Sequence, residues 1–168
     1  MRSLLKTIDS LSEYSGRGTS WFCVVLVLVL TYETTARYVF NAPTVWAHVT
    51  AMMLYGTIGM LGLAYTDLHE GHIRVDLIYA KLRPRGRAII DVVLGLVILF
   101  PLLYVLFKVS IFYMMRAFAT HEVIMESYWY PPASPFRTMM VVALFLFTFQ
   151  SLARFIRDLY VLLRGKTL

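Results

Sequence analysis

The sequence has one cysteine, few charges and no polar stretch long enough to make a soluble domain. A lone Cys23 excludes an intrachain disulfide and any Cys-rich metal motif. Set inside an apolar run, it reads as a packing residue. Charged residues are 15% of the chain against 59% hydrophobic, which excludes an ordinary soluble globular protein. No nucleophile–base arrangement and no phosphate-binding loop is present, so the chain reads as a non-enzyme. No internal repeat is visible, which argues against an inverted-repeat transport core. A cleavable signal peptide is not expected: Asp9 and Glu13 stand among the first residues, and the apolar run opens only at Trp21. The net charge of +6 would suggest nucleic acid in a soluble protein. Here the basic residues flank apolar runs, so they report orientation in a membrane and no nucleic-acid partner is expected.

What the chain does have is apolar length. A bilayer core takes about 20 apolar residues per helix, and four such runs with their connectors use the whole sequence. The fold class is therefore an all-α integral membrane protein, a single membrane domain over residues 1–168. Its four transmembrane helices are expected at about 20–40, 44–65, 88–118 and 136–159. The third run is near 30 residues, about 45 Å as a helix, so it must tilt, kink or project, with Pro101 the expected kink. Two short amphipathic interfacial helices are expected beside the spans. One is N-terminal, with Leu4, Ile8 and Leu11 on one face, and is broken by Gly16 and Gly18. The other lies in the 65–87 connector, where Val75, Ile78 and Leu82 share a face. In the second span, Gly56, Gly59 and Gly62 follow one another at three-residue spacing and invite close helix contact.

Orientation follows from counting. The N-terminal segment has three basic residues, the 65–87 connector five, and the stretch from Arg154 onward four. The opposite connector 119–135 has no Lys or Arg. The positive-inside rule then puts both termini in the cytoplasm.

A few polar residues inside or beside the spans could carry chemistry. Glu33 and Arg37 are four apart and share a helix face. An intramembrane carboxylate is either a coupling group for an ion or cationic substrate, or a structural group, self-paired or anchoring a partner helix, and the structural reading is preferred. His48 and His121 are the only two histidines that could meet at matching depth, and His69 and His72 have three-residue spacing with Gly71 between. Neither pair makes a persuasive haem or metal site, so no cofactor is expected in this chain. Arg74 and Asp76 read as a solvated edge or a docking surface. Tyr128, Trp129 and Tyr130 divide between an interfacial belt and a contact for an external protein.

The run Arg37-Tyr38-Val39-Phe40-Asn41-Ala42-Pro43 followed by Trp46, and then Gly71-His72-Ile73-Arg74-Val75-Asp76 before a basic connector, resembles the small (Q-type) membrane subunit of tripartite ATP-independent periplasmic (TRAP) transporters. Where family members commonly carry an acidic residue after the tryptophan, this chain has Trp46-Ala47-His48. The resemblance implies a bacterial inner-membrane protein paired with a large multi-span transport subunit, with membrane lipid around it. A periplasmic substrate-binding protein would deliver organic anions, carboxylates above all, and a sodium gradient would drive import. Sodium and substrate sites would lie in the partner subunit. This chain would be a non-catalytic scaffold, with Glu33, Arg37, Trp46 and His48 near the outer half of the subunit contact. His72, Arg74 and Asp76 would fix the cytoplasmic connector. Two rivals remain open: a self-sufficient small four-helix exporter with Glu33 as coupling carboxylate, and a membrane anchor for a redox enzyme. Substrate identity, coupling stoichiometry, the helix faces that meet the partner and the oligomeric state are not legible in the sequence.

Overall fold

A computed structural model describes residues 2–69, 84–126 and 128–164. Helix α1 runs Arg2–Tyr38, α2 Ala47–Leu68, α3 Pro84–Leu94, α4 Phe100–Ala119 and α5 Ser134–Arg164. A π-helical turn, Gly95–Leu99, joins α3 to α4. Four helical stretches are long and apolar enough to cross a membrane: Leu5–Tyr38, Ala47–Leu68, Ile89–Ala119 and Ser134–Leu163. The expected spans are all present, and each helix extends beyond its apolar run. The 65–87 connector is shortened from both sides, since α2 continues to Leu68 and α3 begins at Pro84. The expected surface helix around Val75, Ile78 and Leu82 lies outside the described residues.

The N-terminal amphipathic segment is not a separate helix. It is the first half of α1, which continues for 37 residues through Gly16 and Gly18. At 1.5 Å per residue that is about 55 Å, far more than a hydrocarbon core needs. The reason is a single inward seam. Leu5, Ser12, Thr19 and Glu33 are buried, and Phe22, Leu26, Val29 and Ala36 are half-buried between or after them. These positions recur at steps of seven up to Thr19 and of three or four after it, and a break at Gly16 would throw the two halves out of register. The stripe expected to lie on the membrane does not form the seam: Leu11 is exposed and Ile8 only half-buried. Gly16 serves close packing instead. A Cβ added there would stand 2.2 Å from Tyr65 Cδ2.

Helix α1 packs on α2, α2 on α5, and α3 and α4 on α5, with a further α1–α5 contact. The core is built mainly from alanine: Ala47, Ala64, Ala117, Ala143 and Ala153 are buried. Between apolar helices in lipid, association rests on backbone approach and packing, and small residues permit both. The three glycines of α2 divide. Gly56 lies against Phe136, whose Cζ would be 2.8 Å from an added Cβ, whereas Gly59 and Gly62 have nothing within 4 Å among the described residues. Cys23 is exposed and does not pack in the core. It falls on the outer face of α1, off the seam that Phe22 and Leu26 follow.

The π-turn explains how the overlong third span accommodates Pro101. Proline cannot donate to the carbonyl four residues back, and its ring crowds that carbonyl. Widening the register by one residue relieves both, and the Phe100 N–H donates to the Gly95 carbonyl. Gly95 is buried, and an added Cβ would lie 3.3 Å from Phe155 of α5. At the other end of the bundle α1 stops where Asn41 takes a left-handed φ of 51° and the Ala42 N–H donates back to the Ala36 carbonyl at 2.9 Å.

Candidate functional site

Polar side chains gather at the two ends of the bundle. At the end carrying the α1–α2 turn, Glu33 is 9% exposed and fully engaged. Arg37 donates to Oε1 through Nε at 3.1 Å and Nη2 at 2.5 Å. Oε2 accepts from the Thr44 backbone N–H at 3.1 Å and from the Thr44 hydroxyl. The carboxylate thus ties the last turns of α1 to the turn that leads into α2. Beside it, Trp46 stacks on Tyr32 with ring centroids 5.7 Å apart and planes at 28°. His48 is exposed and is not part of this clasp. The structure brings Glu33 and Arg37 together as their spacing requires and sets Trp46 beside them. His72, Arg74 and Asp76 lie outside the described residues. Both oxygens of Glu33 thus accept from donors of this chain.

A second polar cluster was not foreseen. It lies at the opposite end, where the first turns of α1, the end of α2 and the second half of α5 come together. Ser12 donates to Gln150 Oε1 at 2.8 Å, and Gln150 donates to Asp9 Oδ1 at 3.2 Å. Arg157 Nη2 reaches Asp9 Oδ2 at 2.5 Å. Asp67, near the end of α2, accepts from Ser151 at 2.9 Å and from Arg154 Nη1 at 2.9 Å. Gln150 is 1% exposed and Asp67 7%, so in this apolar bundle each hydrogen bond removes a real desolvation cost. The signal was present on α5: Gln150, Ser151, Arg154, Arg157 and Asp158 recur at helical spacing, one polar stripe on an apolar helix. Beside it, Asp67, Asp91, Arg154 and Asp158 line a cleft of about 340 Å³ against the π-turn.

Outside these clusters, the His69 ring packs against Tyr65 with centroids 4.4 Å apart and planes tilted by 57°, and its Nε2 lies 2.9 Å from Glu13 Oε2. His121 is exposed, with a left-handed φ of 48°. Among the described residues, no group of three or more His, Cys, Asp and Glu side chains is arranged to hold a metal ion. Tyr128, Trp129 and Tyr130 are exposed on the loop before α5.

Comparison with known proteins fits this architecture. Residues 26–160 match the family described as tripartite ATP-independent periplasmic transporters, DctQ component. A similar protein is the sialic acid TRAP transporter permease protein SiaT of Haemophilus influenzae, 28% identical over 74 residues. That match covers 44% of this chain and only 12% of SiaT. Four membrane-crossing helices with paired internal charges, and a family match from the first span through most of the last, together place the protein: the chain belongs to the DctQ component family of tripartite ATP-independent periplasmic transporters.

Proposed function

We propose that this chain is the non-catalytic scaffold subunit of a sodium-coupled TRAP transporter that imports organic anions, carboxylates as the expected class. Membership of the DctQ family implies a large permease partner and a periplasmic binding protein. The single observation that supports a scaffold role for this chain is the state of Glu33. Its two oxygens are occupied by Arg37 and Thr44 of the same chain, which suits a fixed joint and not an ion carrier. The sodium and substrate sites then belong to the large partner, and membrane lipid covers the remaining apolar faces. Large apolar side chains on α1 and α4, such as Val27, Leu28, Leu102 and Val105, are exposed and suit those two neighbours. The location is the bacterial inner membrane. The charge count favours a cytoplasmic position for the end where Ser12 meets Gln150, and so for both termini.

The test is recovery of the complex. A tag on the carboxyl terminus and extraction in mild detergent are expected to bring down one much larger polytopic protein in fixed ratio. Glu33→Ala and Asp76→Ala are each expected to cut that recovery several-fold while leaving substrate affinity of the remaining complex unchanged. Recovery of this chain alone as a stable homo-oligomer overturns the reading and favours the small exporter. Unchanged assembly of Glu33→Ala with sodium coupling abolished overturns the scaffold assignment for that residue.

A further inference from the structure

The loop end of the bundle holds a second cleft, of about 740 Å³, that neither polar cluster uses. Its walls are Met52 and Met53 of α2 and Phe136 and Met140 of α5, with Arg116 and Glu122 also lining it. Met53 and Met140 are each about two turns inside their helices, so the cleft reaches about 10 Å down from the loop. Arg116 belongs to the last turn of α4 and Glu122 to the loop, so the charged groups sit at the shallow end. The volume falls within the range of small-molecule sites.

The loop over this cleft is a built structure. The Ala133 N–H donates to the Glu122 carbonyl at 2.8 Å, and the Ile124 N–H to the Pro131 carbonyl at 2.9 Å. Val123 and Pro132 form an antiparallel bridge. Glu122 Oε1 pairs with Arg137, whose guanidinium carbon also lies 5.0 Å from the Tyr113 ring centroid. Glu122 Oε2 is shielded from solvent and has no donor among the described residues. The Glu122 side chain as a whole is still 32% exposed and lines the cleft, so an ammonium there reaches the carboxylate only if the group turns about its last torsion. A desolvated carboxylate oxygen without a donor is costly, and an ammonium group satisfies it best. Arg116 makes no ion pair among the described residues and supplies the opposite charge on the same cleft.

We propose that this cleft binds one phospholipid with a primary-amine headgroup, its ammonium on Glu122, its phosphate on Arg116 and one acyl chain among Met52, Met53, Phe136 and Met140. Arg116 and Arg137 line the cleft together with Glu122 and Glu126, so its rim carries charges of both signs, which suits a zwitterion. The flexible, polarisable methionines accept a chain of irregular shape. A quaternary ammonium headgroup fits less well, because it has no N–H to donate to the orphan oxygen.

The test is lipid retention by the full chain. The protein is extracted with its membrane partner and exchanged into bilayer discs of equimolar phosphatidylethanolamine and phosphatidylcholine. Lipid held on this chain is then read by native mass spectrometry. Phosphatidylethanolamine is expected in about tenfold preference, the size of a charge-assisted hydrogen bond. Glu122→Gln is expected to abolish the preference, and Arg116→Gln to lower retention of both lipids alike. Should Glu122→Gln fail to assemble, Met53→Trp decides: it fills the apolar wall without touching the rim and is expected to remove bound lipid of either kind. Equal retention of the two lipids by the wild type overturns the proposal, as does an unchanged preference in Glu122→Gln or undiminished binding in Met53→Trp. Binding of free long-chain alkylamine with no retained phospholipid overturns the phospholipid assignment.

Discussion

Gly16→Ala is expected to destabilise the protein by about 2 kcal/mol, while Gly18→Ala, two residues along the same helix, is expected to stabilise it by up to about 1 kcal/mol. Alanine is the better helix former at both positions, by about 1 kcal/mol. The two sites differ only in what a methyl would meet. At Gly16 the new Cβ would stand 2.4 Å from Tyr65 Cγ and 2.7 Å from Tyr65 Cβ. Ordinary carbon contacts are about 3.5–4.0 Å. The Tyr65 Cβ cannot swing away by a rotamer change, and its ring is already held against His69. Helix α1 must therefore move off α2, and overpacking of this kind costs about 1–3 kcal/mol. At Gly18 nothing among the described residues lies within 4 Å, and only the propensity gain remains. Equilibrium unfolding of the detergent-solubilised protein in SDS, followed by circular dichroism, measures both. If the two glycines marked a break between separate helices, both alanines would act alike, and that result would sink the continuous α1.

Asp67→Ala is expected to cost more, about 3 kcal/mol, the scale for removing one partner of a buried ion pair. The side chain of Arg154 is 19% exposed and that of Asp67 7%, so neither charge has ready access to water. Without the carboxylate, Arg154 loses its 2.9 Å contact and Ser151 loses its acceptor. The double variant Asp67→Ala/Arg154→Leu removes the other half of the pair as well and is expected to recover part of the loss. The same SDS titration on the wild type, both singles and the double closes the cycle. Strict additivity of the two singles would mean that the pair does not couple α2 to α5, contrary to the geometry.

These two predictions fall on residues that the sequence treats very differently. Gly16 looks like a helix breaker, and only the presence of Tyr65 beside it reverses that reading. Asp67 looks like the first polar residue of a connector, and Arg154 like an orientation signal. In the folded bundle they face each other, 87 positions apart in the chain. Glu33 and Arg37 were legible because their partnership is local: residues four apart on a helix share a face whatever surrounds them. Thr44 as the second partner of Glu33 was not legible, since it depends on the path of the turn after Tyr38.

The sequence by itself determined that the protein has four long apolar helices, about where they lie and which ends share a side. Hydrocarbon forces this result: a backbone in lipid must satisfy its own hydrogen bonds, so apolar run length alone dictates a helix. It also carried, through Arg37–Pro43, Trp46 and Gly71–Asp76, the resemblance that the family match over residues 26–160 bears out. Tertiary structure decided which polar residues are buried together, which glycine is a contact, and that the N-terminal amphipathic stretch is one helix with the first span. Those outcomes depend on pairings such as Ser12 with Gln150, separated by 138 positions. Such pairings arise only when helices approach through small residues, and no local periodicity records which face will meet which.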